Sequence, residues 1–293
     1  MTAPLMRSDT PRAAASDLPY RISWMARSLR AGAHSSRYTG GTGMLRDVVP
    51  FLKSPDPRRI DLRQSLRDPF DQLHTRRFEQ PASTDVVLLA DVSGSMRFQR
   101  KSRIVAELAE TLAHSARRIG DRFGFIACDA SVRQELTVPS TRRRGGEAEM
   151  AQRILAFRPA LRGTSGLAEA ARSLAGRAKL IILVSDFQIP APEIKTILDA
   201  LEGQDVLPII LNDRAEVDGL PEWGLIEFTD LETAGTRLIF MRPRLKQRFI
   251  AAHAERMAKL ISLLSRQTRE PLVIVDAIDW QRLAAALLGA SRC

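Results

Sequence analysis

The chain lacks most of what an extracellular or membrane-embedded protein needs. Only two of its 293 residues are cysteines, Cys128 and Cys293, too few for a disulfide framework or a Cys-rich zinc site. A reducing compartment is therefore expected. No apolar run approaches the ~20 residues of a membrane-spanning helix; Leu180–Val184 and Val86–Ala90 are strand-length. Met1–Leu18 carries Arg7, Arg12 and two prolines and has no apolar stretch of the kind a secretory signal uses. Aromatic residues are 5% of the chain, which deprives a single-strand nucleic-acid platform of its stacking groups. The expectation is a cytoplasmic protein with no membrane span.

What is present is ordinary for a globular protein. Apolar residues are 44% and charged residues 27%, enough for one large core or two modest ones and incompatible with a wholly disordered chain. The net charge is +10. Residues 1–83 hold 14 Lys/Arg against 8 Asp/Glu, so +6 of the excess sits there and +4 in the remaining 210 residues. Arg outnumbers Lys 38 to 6, and Arg suits bidentate pairing with carboxylate or phosphate. The Arg142-Arg143-Arg144-Gly145-Gly146 run could grip phosphates, but it reads first as a solvated loop. Nothing singles out nucleic acid.

Three segments follow from the pattern. Residues 1–29 read as disordered. Residues 30–83, with turn signals at Tyr38–Gly43 and Ser54–Pro57, read as an irregular extension packed on the core. From residue 84 to 293 the pattern is regular. Apolar strands at Val86–Ala90, Phe123–Cys128, Lys179–Ser185 and Asp205–Leu211 alternate with amphipathic helices containing Ile104–Leu112, Glu147–Phe157, Ser165–Leu174 and Ile194–Leu201. Ser131–Val138 alternates like an edge or hairpin strand. Leu225–Phe228 and Thr236–Phe240 read as a hairpin, followed by a helix over Pro243–Thr268 with Leu245, Phe249, Ala252, Met257, Leu260 and Leu264 inward. A strand at Leu272–Val275 and a helix from Asp279 close the chain. This is an α/β chain with a doubly wound, mostly parallel sheet. Ligands of such folds bind beyond the carboxyl ends of the strands, at the topological switch point.

Asp91 and Asp186 directly follow the two most apolar strands. With Ser93, Ser95 and Thr164 they form a set of two carboxylates and three hydroxyls, all oxygen, the donor type that Mg²⁺ or Mn²⁺ prefers. Alternation along Asp91, Ser93 and Ser95 lets a bent loop turn all three inward. Neutral hydroxyls cancel little of an ion's charge, so the cation would remain electrophilic toward an outside carboxylate. Any one of these residues alone would read as a helix cap or a turn.

This Asp-x-Ser-x-Ser, Thr, Asp pattern resembles the metal-ion-dependent adhesion site of von Willebrand factor A domains. Leu88-Leu89-Ala90-Asp91-Val92-Ser93-Gly94-Ser95-Met96, preceded by Arg58-Arg59-Ile60-Asp61 and Arg76-Arg77-Phe78-Glu79, further resembles bacterial proteins grouped as domain of unknown function 58. The likeness is greatest to MxaS-like members found beside MoxR-type AAA+ ATPases. It covers residues 30–240, with Ile60-Asp61-Leu62 where the family commonly has Ile-Asp-Trp. The resemblance implies a divalent-metal-dependent protein-binding module rather than an enzyme, partnered by a MoxR-type ATPase in maturing another protein complex. A partner Asp or Glu would complete the metal shell, and Arg97, Phe98, Arg162 and Ser165 would rim it.

Two other readings stand beside it. A Mg²⁺ hydrolase would use Asp91 or Ser93, yet Ser93 lacks the first glycine of Gly-x-Ser-x-Gly and no histidine has a readable partner role. A basic scaffold for nucleic acid or anionic surfaces would rest on the charge excess alone. His34, His74, His114 and His253 have no ligand spacing. Cys128 reads as core. Arg242, Arg244, Lys246 and Arg248 stand at a helix start, where cations are disfavoured, so they are expected to pair with acids elsewhere or to face an acidic partner.

Overall fold

The computed structural model describes residues 18–24, 34, 44–80, 82–97, 100–143, 145–158, 163, 165–212, 221–229 and 236–289. An antiparallel pair, β1 (Leu45–Pro50) and β2 (His74–Phe78), flanks a single helical turn, α1 (Leu62–Ser65). The central sheet begins with β3 (Asp85–Asp91), which is buried at every position. After α2 (Lys101–Ile119) come β4 (Arg122–Cys128) and β5 (Val138–Thr141). The chain continues through α3 (Glu147–Ala156), α4 (Ser165–Ser173), β6 (Leu180–Ser185), α5 (Ala191–Ala200) and β7 (Asp205–Asn212). A hairpin of β8 (Gly224–Thr229) and β9 (Thr236–Met241) leads into α6 (Pro243–Leu264), β10 (Leu272–Val275) and α7 (Trp280–Leu288).

The sheet order is β10-β7-β6-β3-β4-β5. Every neighbouring pair is parallel except β4 with β5. Strands buried on both faces need apolar side chains at odd and even positions alike, and β3 shows the division. Val86, Leu88 and Ala90 join one cluster with Leu108 and Leu112 of α2, Ile154 of α3 and Leu283 of α7. Val87 and Leu89 join the opposite cluster with Leu167 of α4, Ile197 of α5 and Leu264 of α6. Each fully buried Leu or Val contributes about 1.5–3 kcal/mol. The mostly parallel α/β sheet expected from the alternation is thus present.

Three local differences have physical causes. The expected strand over Ser131–Val138 is a turn that bonds back through Thr137 N–H to Arg133 O (3.0 Å), and the edge strand is Val138–Thr141. Alternating residues there follow the turn, not a ladder. In α6 only Leu260 and Leu264 are buried; Phe249 and Ala252, read as inward, are exposed. Arg256 donates to the carbonyl of Phe187, just past the end of β6 (2.7 Å). The part of the helix before it, Pro243–Glu255, is about 20 Å long and has no buried residue.

Residues 18–22 lie within the stretch read as disordered, yet Leu18, Tyr20 and Ile22 belong to the core. Tyr20 Oη and His34 Nε2 both meet Asp121 Oδ2 (2.5 and 2.6 Å), and Thr84 N–H donates to Asp121 Oδ1 (2.8 Å). Burial and the Asp121 charge push the Tyr20 hydroxyl far above its ordinary pKa, so it stays a donor. A wholly buried carboxylate must find such partners, and here it fastens the N-terminal segment to the amino end of the sheet.

Candidate metal centre

The chain moves from β3 to β4 on one side and then returns to β6 on the other, so β3 and β6 are adjacent and flank the switch point. Asp91 is the last residue of β3 and Asp186 the first after β6. The register pairs Ala90 with Val184, which brings the two carboxyl-terminal ends side by side. Asp91 and Ser93 are completely buried, and Ser95 and Asp186 nearly so.

Local hydrogen bonds hold this geometry. Asp91 Oδ1 accepts from the Ser93 N–H (2.9 Å), and Asp91 Oδ2 accepts from Ser185 Oγ (2.7 Å). Ser93 Oγ and Ser95 Oγ lie 3.2 Å apart, so the alternating serines do converge. Ser185 Oγ in turn accepts from Phe187 N–H (2.9 Å), and Asp186 Oδ1 accepts from Gln188 N–H (3.1 Å). Phe187 has φ +50, an unusual conformation for a bulky residue. Its ring is buried in the second apolar cluster and its carbonyl is held by Arg256. Those contacts offset the strain of the turn that follows Asp186.

A third wall comes from β4. Asp129 follows Cys128 and is fully buried, with its carboxylate held by Arg133 and by the Ser131 N–H (3.1 Å). Its carbonyl accepts from Gly166 N–H (3.0 Å), and the exposed Ser165 donates through Oγ to Ala130 O (2.7 Å). Gly166 is needed there: an added Cβ would fall 2.5 Å from Ser131 C and 2.7 Å from both Asp129 O and Ser131 O. The amino end of α4 therefore docks directly on the loop after β4. Thr164, Arg162 and Phe98 lie outside the described residues, as does the side chain of Arg97.

Electrostatics mark the pair as a site under stress. Burial first, and the nearby Asp186 charge second, raise the Asp91 carboxyl to about 7, against the lowering effect of hydrogen bonds from Ser93 and Ser185. Asp186 meets Lys101, whose Nζ is 2.9 Å from Asp186 Oδ2, with both side chains only 3% exposed. Lys101, Ser185, Asp129 and Gly166 were not singled out by the sequence. Lys101 gave no signal there, because a lysine ten residues after Asp91 reads as helix surface.

The donors fit a small hard cation. Among the described residues no three His, Cys, Asp or Glu side chains converge, so an ion here would be held by carboxylate and hydroxyl oxygens, the Mg²⁺ or Mn²⁺ type. The two serine hydroxyls, within hydrogen-bond distance of each other (3.2 Å), would both be available to such an ion. The histidines lie elsewhere: His34 on Asp121, His74 on Asp68, His253 near Asn212, and His114 exposed on α2. Cys128 is buried as core.

The other notable surface is at the hairpin and the free half of α6. Trp223, Leu225, Leu238 and Phe240 are all at least half exposed, with Trp223 edge-on to Phe240 (6.5 Å). Arg242 stacks over Phe240 (5.6 Å). Among the described residues, no acidic side chain pairs with Arg242, Arg244, Lys246 or Arg248. No helix among the described residues is long and apolar enough to cross a membrane.

Over 95 residues the chain is 32% identical to an uncharacterized protein encoded in the moxR 3' region of Paracoccus denitrificans, a match covering 32% of this chain and 90% of that protein. Among solved structures it is similar to the conserved hypothetical protein BatB from Bacteroides thetaiotaomicron, at 16% identity and a TM-score of 0.39, covering 70% of this chain and 97% of that one. It is also similar to a von Willebrand factor type A protein from Catenulispora acidiphila, at 15% identity and a TM-score of 0.38, covering 71% of this chain and 42% of that one. The family model described as "Protein of unknown function DUF58" matches residues 50–259, a span that holds the switch point and most of the sheet, and the chain belongs to that family.

Proposed function

We propose that this is a divalent-metal-dependent protein-binding module of the von Willebrand factor A type, MxaS-like within its family and cytoplasmic. Its partner would be a MoxR-type AAA+ ATPase, and its work the assembly or maturation of another protein complex. The observation that carries the reading is the burial of the oxygen donors Asp91, Ser93, Ser95 and Asp186 together at the switch point. The moxR-region relative in Paracoccus supports the ATPase as partner.

In this reading Ser93, Ser95 and Thr164 would supply hydroxyl ligands. Asp91 and Asp186 would bind the ion directly or through water and orient the serines, as Asp91 already orients the Ser93 backbone. The ion, Mg²⁺ or Mn²⁺, would act as a Lewis acid toward an Asp or Glu of the partner. Rim contacts would come from Arg97, Phe98, Arg162 and Ser165. The cations at the start of α6 would meet further acidic groups of the same partner, and the exposed hairpin would add apolar area.

The test is capture from native lysate with and without Mg²⁺, using wild type beside S93A/S95A. A AAA+ ATPase retained only by wild type with metal supports the proposal. Capture indifferent to both overturns it, and capture of nucleic acid that falls steeply with salt would favour a basic scaffold. Turnover of a phosphate ester abolished by D91N would make the chain a hydrolase.

A further inference from the structure

Lys101 is in a place that two forces oppose. It is 2% exposed, and burying an ammonium is costly unless it is paired. It is also the first residue of α2, where the helix dipole disfavours positive charge. Neither burial nor dipole explains it, but Asp186 does, at 2.9 Å. Asp186 is one of the two carboxylates assigned above to the metal. The same oxygen-lined space thus contains a cation belonging to the chain.

We infer that Lys101 is a tethered counter-ion that occupies the Asp186 side of the centre when no metal is present and competes with the divalent ion for that carboxylate. The inference rests on the metal-site reading and deepens it. A divalent ion entering between Asp91 and Asp186 either displaces the ammonium or shares Asp186 with it, and both lower its affinity. The centre would then fill and empty with the free ion concentration instead of holding a permanent structural metal. Partner binding would follow ion supply. The ammonium also neutralises the buried Asp186 carboxylate.

Calorimetric titration of Mg²⁺ and Mn²⁺ into the full chain tests this, with wild type, K101M, K101R and S93A/S95A compared. Removing a like charge this close should tighten metal binding by about tenfold or more, while K101R, which keeps the charge, should stay within about threefold of wild type. Melting adds a second readout. Metal-free K101M should melt below wild type, because Asp186 loses its partner, and saturating Mg²⁺ should raise its melting temperature more than that of wild type. K101Q serves in the same assays if K101M does not fold. Wild-type binding that S93A/S95A abolishes but K101M leaves unchanged or weakens would overturn the role of Lys101 alone. Absence of binding by both wild type and K101M would overturn the metal reading and this inference together.

Discussion

Gly166→Ala is the sharpest test of how the site is built, because it needs neither metal nor partner. The missing side chain is what lets the first turn of α4 rest on the loop after β4. A methyl group would lie 2.5 Å from Ser131 C and 2.7 Å from two carbonyl oxygens, all backbone atoms that cannot rotate away. Either α4 or the loop must retreat. Overpacking costs about 1–3 kcal/mol, and retreat also breaks the Gly166 N–H bond to Asp129 O (3.0 Å), worth about 1 kcal/mol. A total of about 3 kcal/mol corresponds to a fall of roughly 6–12 °C in melting temperature for a domain of this size. Gly120→Ala is the control: it ends α2 at φ +91 with nothing within 4 Å of an added Cβ, so it should cost only the left-handed backbone strain, about 1–2 kcal/mol. Thermal melts followed by circular dichroism compare them. G166A melting within about 1 °C of wild type would refute the close docking of α4.

Two further outcomes follow from the charges. Burial would raise the Asp205 carboxyl, but the hydrogen bonds from Arg269, with its charge, and from Ser23 outweigh burial and hold it below the ordinary range. Its stabilisation is therefore complete above pH ~4 and is lost as pH falls through the lowered value, so D205N should cost about 3 kcal/mol at pH 7 and flatten the acid limb of a stability-pH curve; an unchanged limb would remove that pair from the account. Reversing Arg244 and Arg248 to Glu should weaken partner capture at least about tenfold without changing the melting temperature by more than ~1 °C, and undiminished capture would exclude the α6 surface from the interface.

The sheet was legible because its strands are buried on both faces. Val86–Ala90 and Leu180–Val184 are continuous apolar runs, the first followed directly by Asp91 and the second, after Ser185, by Asp186. The hairpin and β10 were equally visible from short runs flanking turn residues. Sequence periodicity misled in α6, where Phe249 and Ala252 lie on the apolar stripe but only Leu260 and Leu264 are buried. Of the candidate site, the converging serines and the adjacent aspartates were read directly from alternation and strand ends. Lys101 and Ser185 were not, because their role depends on pairings 85 and 94 residues apart in sequence. Gly166 was hidden for a similar reason: its requirement comes from the backbone at Asp129–Ser131, not from its neighbours in sequence.

The most direct test of the central claim is electron paramagnetic resonance of Mn²⁺ titrated into the full chain, with Mg²⁺ as competitor and S93A/S95A alongside. The account predicts one bound Mn²⁺ per chain in wild type, displaced by Mg²⁺ and absent from the folded double variant. A folded wild type that leaves all Mn²⁺ free, or a double variant that binds it equally well, would contradict it.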